Sequence, residues 1–129
     1  MATGFPASTG DVLTAPIFNE LVQFTINSQS GTTYTLAATD QYQVLILTTN
    51  ASAKTVSIPT DATTNFGIGT AITILNTGTA DTTITAVTPG TTTITSAGAT
   101  SGSPKVAQHR AATCIKTAAN TWRVVGAVS

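Results

Sequence analysis

From about Thr32 onward, apolar and polar residues alternate in short runs. A period of two is that of a strand with one face buried. Thr33-Tyr34-Thr35-Leu36, Thr55-Val56-Ser57-Ile58 and Thr83-Ile84-Thr85-Ala86-Val87 all show it. Gln43-Val44-Leu45-Ile46-Leu47-Thr48 is instead a continuous apolar run, as expected of a strand covered on both faces. Ala71-Ile72-Thr73-Ile74-Leu75 follows the Gly67 and Gly69 punctuation, and Thr92-Thr93-Ile94-Thr95 follows Pro89-Gly90. Pro59 stops one run because it cannot donate to a ladder. Ala112–Thr117 and Thr121–Val128 read as a closing hairpin across Ala118-Ala119-Asn120. Ser96–Pro104, rich in Gly and Ser, reads as a loop. The pattern predicts an all-β fold, an antiparallel β-sandwich or small barrel-like domain of about eight strands over residues 31–129.

Residues 1–30 read differently. Met1–Gly10 is an extended arm punctuated by Gly4, Pro6 and Gly10. A short helix is predicted over Thr14–Val22, with Thr14 as its cap and Pro16 in the first turn. Ile17 with Leu21, and Phe18 with Val22, are one turn apart. So short a helix holds only if it docks on something. The alternation of Phe24 and Ile26 with Thr25 and Asn27 also fits the start of an extended segment. The apolar residues Phe5, Ile17, Phe18, Leu21 and Val22, together with Trp122, are the candidate contacts to a partner surface or a neighbouring subunit. For the arm residues, docking on the chain's own β-domain is an equal alternative. Trp122 reads as core or subunit interface, with a sugar-stacking platform as the sharper alternative.

Composition narrows the function. The chain has 129 residues, the length of one domain. Thr is 30 of them and Leu only six. Charged residues make up 8%, five basic against five acidic, so little phosphate can be neutralised and nucleic acid is excluded as an expected partner. No apolar run is long enough to predict a membrane span, and the first ten residues lack the basic and apolar regions of a secretory signal. Thr alternating with Ile and Val keeps β propensity without adding charge. The resulting surface is poor in charge for a monomer, which predicts homo-oligomerisation.

Candidate chemistry is sparse. Asp11, Glu20, Asp40, Asp61 and Asp81 are spread one per connection, as expected of turn residues that bond nearby backbone N–H groups. They form no metal-ligand spacing, and no metal or cofactor is expected. Cys114 lies in a strand-like run and reads as a small buried hydrophobe. His109 beside Arg110 reads either as a solvated strand edge or as a small basic patch. There is no Gly-x-Ser-x-Gly elbow, and no catalytic residue is assigned. Gly67-Ile68-Gly69-Thr70 is not followed by Lys or a helix, so these glycines shape a bend before a strand rather than a phosphate loop.

Several short features in order resemble a β-structured domain of tailed-bacteriophage virion proteins. They are Tyr34-Thr35-Leu36 with Asp40; Thr55-Val56-Ser57-Ile58-Pro59; Asn65-Phe66-Gly67-Ile68-Gly69-Thr70 leading into Ile72-Thr73-Ile74; Thr83-Ile84-Thr85 with Thr93-Ile94; and Ala112–Lys116 with Asn120–Gly126. Gly10–Ala15 leading to Phe18-Asn19 is similar to the opening of many phage structural proteins. The resemblance implies a non-enzymatic structural role, commonly as a homotrimer. The expected form is a capsid decoration (cement) protein on the outer capsid surface, assembled in the host cytoplasm, with the major capsid protein as partner. The alternative is a short head or tail fibre, with host-glycan binding as a possible accompaniment.

Overall fold

In the computed structural model, the described residues are 23–42, 44–97 and 103–129. The predicted helix and the candidate contacts Phe5, Ile17, Phe18, Leu21 and Val22 lie outside them. The described chain is all-β: ten strands and one 3-10 turn over Ala38–Gln41. The strands are β1 Thr25–Gln29, β2 Thr33–Thr35, β3 Val44–Thr48, β4 Lys54–Ile58 and β5 Ala71–Asn76. They continue as β6 Thr82–Ala86, β7 Thr93–Ser96, β8 Lys105–Val106, β9 Arg110–Ala118 and β10 Thr121–Gly126. They form two mixed sheets, one ordered β1-β3-β5-β9-β10-β7 and one ordered β2-β4-β6-β8.

Pairing direction departs from the expected antiparallel arrangement. Five of the eight strand pairs are parallel: β1·β3, β3·β5, β2·β4, β4·β6 and β7·β10. The first six strands alternate between the sheets, so each returning strand lies beside the one laid down a coil earlier, running the same way. Parallel neighbours need a long crossover. Here the strand in the opposite sheet serves as that crossover, where many folds use a helix. The second and third coils match closely: Leu45 pairs with Thr73 and Thr55 with Thr83, an offset of 28 residues in both sheets. Antiparallel pairing enters later, through β8 on β6 and through the β9–β10 hairpin closing onto β5.

The alternation seen in the sequence is the alternation of burial. In β3, β4 and β6, every second residue points inward. Val44, Ile46, Ile72, Ile74, Ala112 and Cys114 from the six-stranded sheet share one core with Val56, Ile58, Ile84 and Val106 from the other. Trp122 and Phe66 fill its end, edge to face, with ring centroids 5.5 Å apart. Trp122 is fully buried, so of its three readings the structure selects the core. Neither ring face is open to a sugar or a second subunit.

Two other expectations change. Residues 25–29, read as part of an arm, are β1 and pair with β3 throughout. The β3 run, read as covered on both faces, buries Val44, Ile46 and Thr48, while Leu45 and Leu47 are only half-buried on the outward side.

The core predicts a graded response. Ile74 is completely buried at the centre of β5, so Ile74→Ala should lose roughly 2–5 kcal/mol in urea unfolding. Ile68 is 72% exposed, and Ile68→Ala should change stability by less than about 0.5 kcal/mol.

Candidate functional site

Three charged side chains, Lys116, Asp61 and Lys54, fasten the coil. Lys116 points inward from β9 and is 1% exposed. Its Nζ donates to Asp61 Oδ1 at 2.8 Å, to the Phe66 carbonyl at 2.7 Å and to Asn65 Oδ1 at 3.1 Å. Asp61 Oδ2 accepts from the Asn120 backbone N–H at 3.0 Å, and Asn120 Oδ1 accepts from the Asp61 N–H at 2.8 Å. This ties the 60s connection to the β9–β10 turn. Asn120 sits in that turn at φ 50, a conformation Asn tolerates better than most side chains. The hydrogen bond from Lys116 holds the Asp61 carboxyl below the usual carboxylate range, against the opposing effect of its partial burial.

Lys54 is handled differently. It is 2% exposed, and its Nζ donates to three carbonyls: Asn50 at 2.7 Å, Ala80 at 2.8 Å and Ser52 at 3.3 Å. Desolvation pulls its pKa down, and the charge of Asp81 partly offsets this. The corner has no space to spare, because a Cβ on Gly78 would lie 2.0 Å from the Asn50 carbonyl oxygen. Asn76, beside it, donates to the Ala80 and Val106 carbonyls and accepts from the Gly78 N–H.

Asp40 is 1% exposed and, among the described residues, has no cation within ion-pair distance. Neutral donors satisfy it: Tyr34 Oη at 2.6 Å, the Ala37 N–H at 2.8 Å and Asn27 Nδ2 at 3.0 Å. Its bond to Ala37 is the local turn contact expected from the sequence. Burial, and then the hydrogen bond to Asp40, push the Tyr34 hydroxyl up to about 12.

The remaining candidates resolve simply. Cys114 is fully buried, and burial pushes its thiol up to about 12, so it behaves as a small hydrophobe. Gly69, at φ 94, bends the chain into β5 and donates its N–H to the Lys116 carbonyl at 2.7 Å. His109, at φ 62, turns the chain into β9, and its N–H bonds the Asn76 carbonyl. Arg110 opens β9, which lies inside its sheet rather than at an edge. Among the described residues, no group of three His, Cys, Asp or Glu side chains converges to hold a metal. No described helix is long and apolar enough to cross a membrane.

The surfaces are more distinctive than any pocket. On the four-stranded sheet, the outward residues form two registered ranks, Thr33-Thr55-Thr83-Lys105 and Thr35-Ser57-Thr85. On the six-stranded sheet, the outward ranks are Ile26-Leu45-Thr73-Thr113-Val125, Ser28-Leu47-Leu75-Ala111 and Ala71-Ile115-Arg123-Thr95. One face is hydroxyl-covered, the other is mainly aliphatic, and each carries a single charge. The sequence signal for the aliphatic face lay in the unbroken β3 run. The buried roles of Lys54 and Lys116 had no signal, because a lone Lys in an alternating segment usually faces water. Comparison with known proteins finds no matching family model, no similar curated protein and no similar solved structure.

Two measurements test the fastenings. Lys116→Met strands three acceptors and should cost roughly 2–3 kcal/mol in denaturant unfolding. Asp61 has a depressed pKa, so its stabilisation is present above the unfolded value of 3.8 and fades as pH falls through the lower folded value. Asp61→Asn should therefore flatten the acid limb of stability below pH 4. The Tyr34 pKa is raised, so its contribution is complete below pH 10 and fades between 10 and about 12. Tyr34→Phe should remove that alkaline limb.

Proposed function

We propose that this chain is a structural protein of a tailed-bacteriophage virion, a decoration or cement protein that binds the outer capsid surface as a homotrimer and stabilises the shell. The identity of the virion rests on the ordered sequence features given above. The physical observation that carries the assembly role is the pair of outward sheet faces with one charge apiece, Arg123 on one and Lys105 on the other. An ordinary soluble domain spreads charge of both signs over about a quarter to a third of its surface. Faces this neutral suit a protein that spends its working life against other subunits.

In this reading, residues 31–129 with β1 pack as a β-sandwich. The stretch before β1 is the arm, with its short helix over Thr14–Val22, and it reaches the major capsid protein. Phe5, Ile17, Phe18, Leu21 and Val22 are its contacts. Many copies on a lattice make individually weak contacts collectively strong. Buried charges that fasten corners, and a thiol held protonated in the core, support a role that is mechanical rather than catalytic. A short head or tail fibre is the alternative, with the hydroxyl ranks of the four-stranded sheet as a surface for host glycans.

The decisive measurement is the copy number of this chain per purified particle, by quantitative mass spectrometry against the shell protein. Decoration predicts a fixed stoichiometric ratio to the shell protein. A handful of copies per particle selects the fibre reading, and none removes the virion role. Deleting residues 2–22, short of β1, should abolish capsid attachment and leave the β-domain folded. Retained attachment overturns the arm's role.

A further inference from the structure

The sequence holds five Lys and Arg residues and one His, and all six fall among the described residues. The ion pair they form there is Lys116 with Asp61. Asp81 is exposed, and its charge is felt at Lys54. Asp40 differs from both. It is 1% exposed, and no basic side chain of this protein lies within ion-pair distance of it. Tyr34, Ala37 and Asn27 solvate its carboxylate with hydrogen bonds, but all three donors are neutral. An Asp is almost never buried so fully without a paired cation.

A cavity of about 260 Å³ lies beside this carboxylate, between β1, the 3-10 turn and the start of β3. Thr25, Ile26, Asn27, Thr39, Asp40 and Val44 line it. Shut off from bulk water, the Asp40 charge is little screened, so it acts strongly on a cation lodged there. The lining selects the kind of cation. A calcium ion takes about six to eight oxygens, several of them from carboxylates, and this wall offers a single carboxylate. A guanidinium engages both carboxylate oxygens with its fork, and Oδ2 already accepts from Tyr34 and Ala37. Oδ1 accepts from Asn27, which leaves it an acceptor position for one point charge. Ile26 and Val44 add an apolar wall, against which the stem of an alkylammonium can lie.

We infer that this cavity binds a primary ammonium group on an alkyl stem, drawn by Asp40 and packed against Ile26 and Val44. The group belongs either to a lysine side chain of a partner protein or to a free aliphatic amine. At roughly 30 Å³ per water-sized group, about 260 Å³ has room for all the heavy atoms of butylammonium and for water at its remaining N–H groups. Such a site stands whether or not the chain assembles on a virion.

The test is a titration of the full-length chain with n-butylammonium chloride, followed by amide NMR. The Asn27 side-chain amide and the Ala37 N–H both donate to the carboxylate and report on it. Their signals should move saturably, with a midpoint in the millimolar range expected of so small a ligand. Tetramethylammonium chloride at the same concentration carries the charge but has no N–H to donate, and should leave them in place. Asp40→Asn should weaken binding by more than about tenfold. Because that change also disturbs three hydrogen bonds, Thr39→Lys is the second variant. Thr39 is exposed on the cavity wall, and a lysine there should place its own ammonium in the cavity and abolish the response. The near-ultraviolet circular dichroism of buried Trp122 should be unchanged in that variant. Lysine blocked at both ends, as the acetyl methylamide, separates the sources. Binding as tight as that of butylammonium assigns the site to a partner's lysine, and no binding assigns it to a free amine. Wild-type signals that stay in place in butylammonium, or move equally in both salts, overturn the inference. So does a response that both variants leave intact.

Discussion

Laying strands alternately into two sheets constrains everything else in this molecule. Each coil must leave one sheet, cross the edge of the core and enter the other, and at each crossing the backbone leaves the ladder. The carbonyls there have no strand partner. The structure meets this with side chains that donate and never accept, or do both at once. Lys54 collects the carbonyls of Asn50, Ser52 and Ala80. Asn76 holds those of Ala80 and Val106 and accepts from Gly78. Lys116 takes the carbonyl of Phe66 and binds Asp61. An ammonium among carbonyls is a strong donor set, and charge-assisted bonds are worth roughly twice neutral ones. The cost of burying it is met only while every proton has a partner. Two of the five Lys and Arg residues, Lys54 and Lys116, are thus held at corners, while Lys105, Arg110 and Arg123 are exposed.

How much of this was legible follows from what alternation encodes. A period of two reports which side chains face inward, and it does so for parallel and antiparallel strands alike. The strands from Tyr34 to Val124 were therefore visible, while their pairing direction was not. Direction depends on whether a strand's neighbour is the next segment or the one a coil back. The equal 28-residue offsets of Leu45 to Thr73 and Thr55 to Thr83 encode that, but the residues they join share little more than being Thr or aliphatic. Strand β8 has only two residues, Lys105 and Val106, too few for any period. Strand β1 was hidden by Asn27 and Gln29, polar residues on its inward side, where Asn27 reaches Tyr34 and Asp40. The network of Asp40, Tyr34 and Asn27 joins residues 13 apart across a turn, and spacing alone does not announce it.

The continuous β3 run was the informative misfit. Val44-Leu45-Ile46-Leu47 reads as a strand covered on both faces, and within one chain it is covered well on one. A single chain cannot both keep that sequence and leave Leu45 and Leu47 facing water without loss. The neighbouring strands repeat the pattern, since β5 sets Leu75 outward and β9 sets Ala111 and Ile115 outward. A chance surface leucine needs no explanation. A registered row of them across adjacent strands does.

The two sheets thus carry the same backbone logic to different ends. Both present β-branched or aliphatic residues outward, and both are nearly free of charge. On the four-stranded sheet Thr85 alone of the outward hydroxyls has a partner among the described residues, Ser103 at 3.3 Å, so water competes well for the others and any dry partner would have to replace those bonds one for one. On the six-stranded sheet the hydroxyls of Thr73 and Thr113 satisfy each other, and their neighbours have no polar groups to satisfy. Desolvating that face costs little and removes aliphatic surface from water.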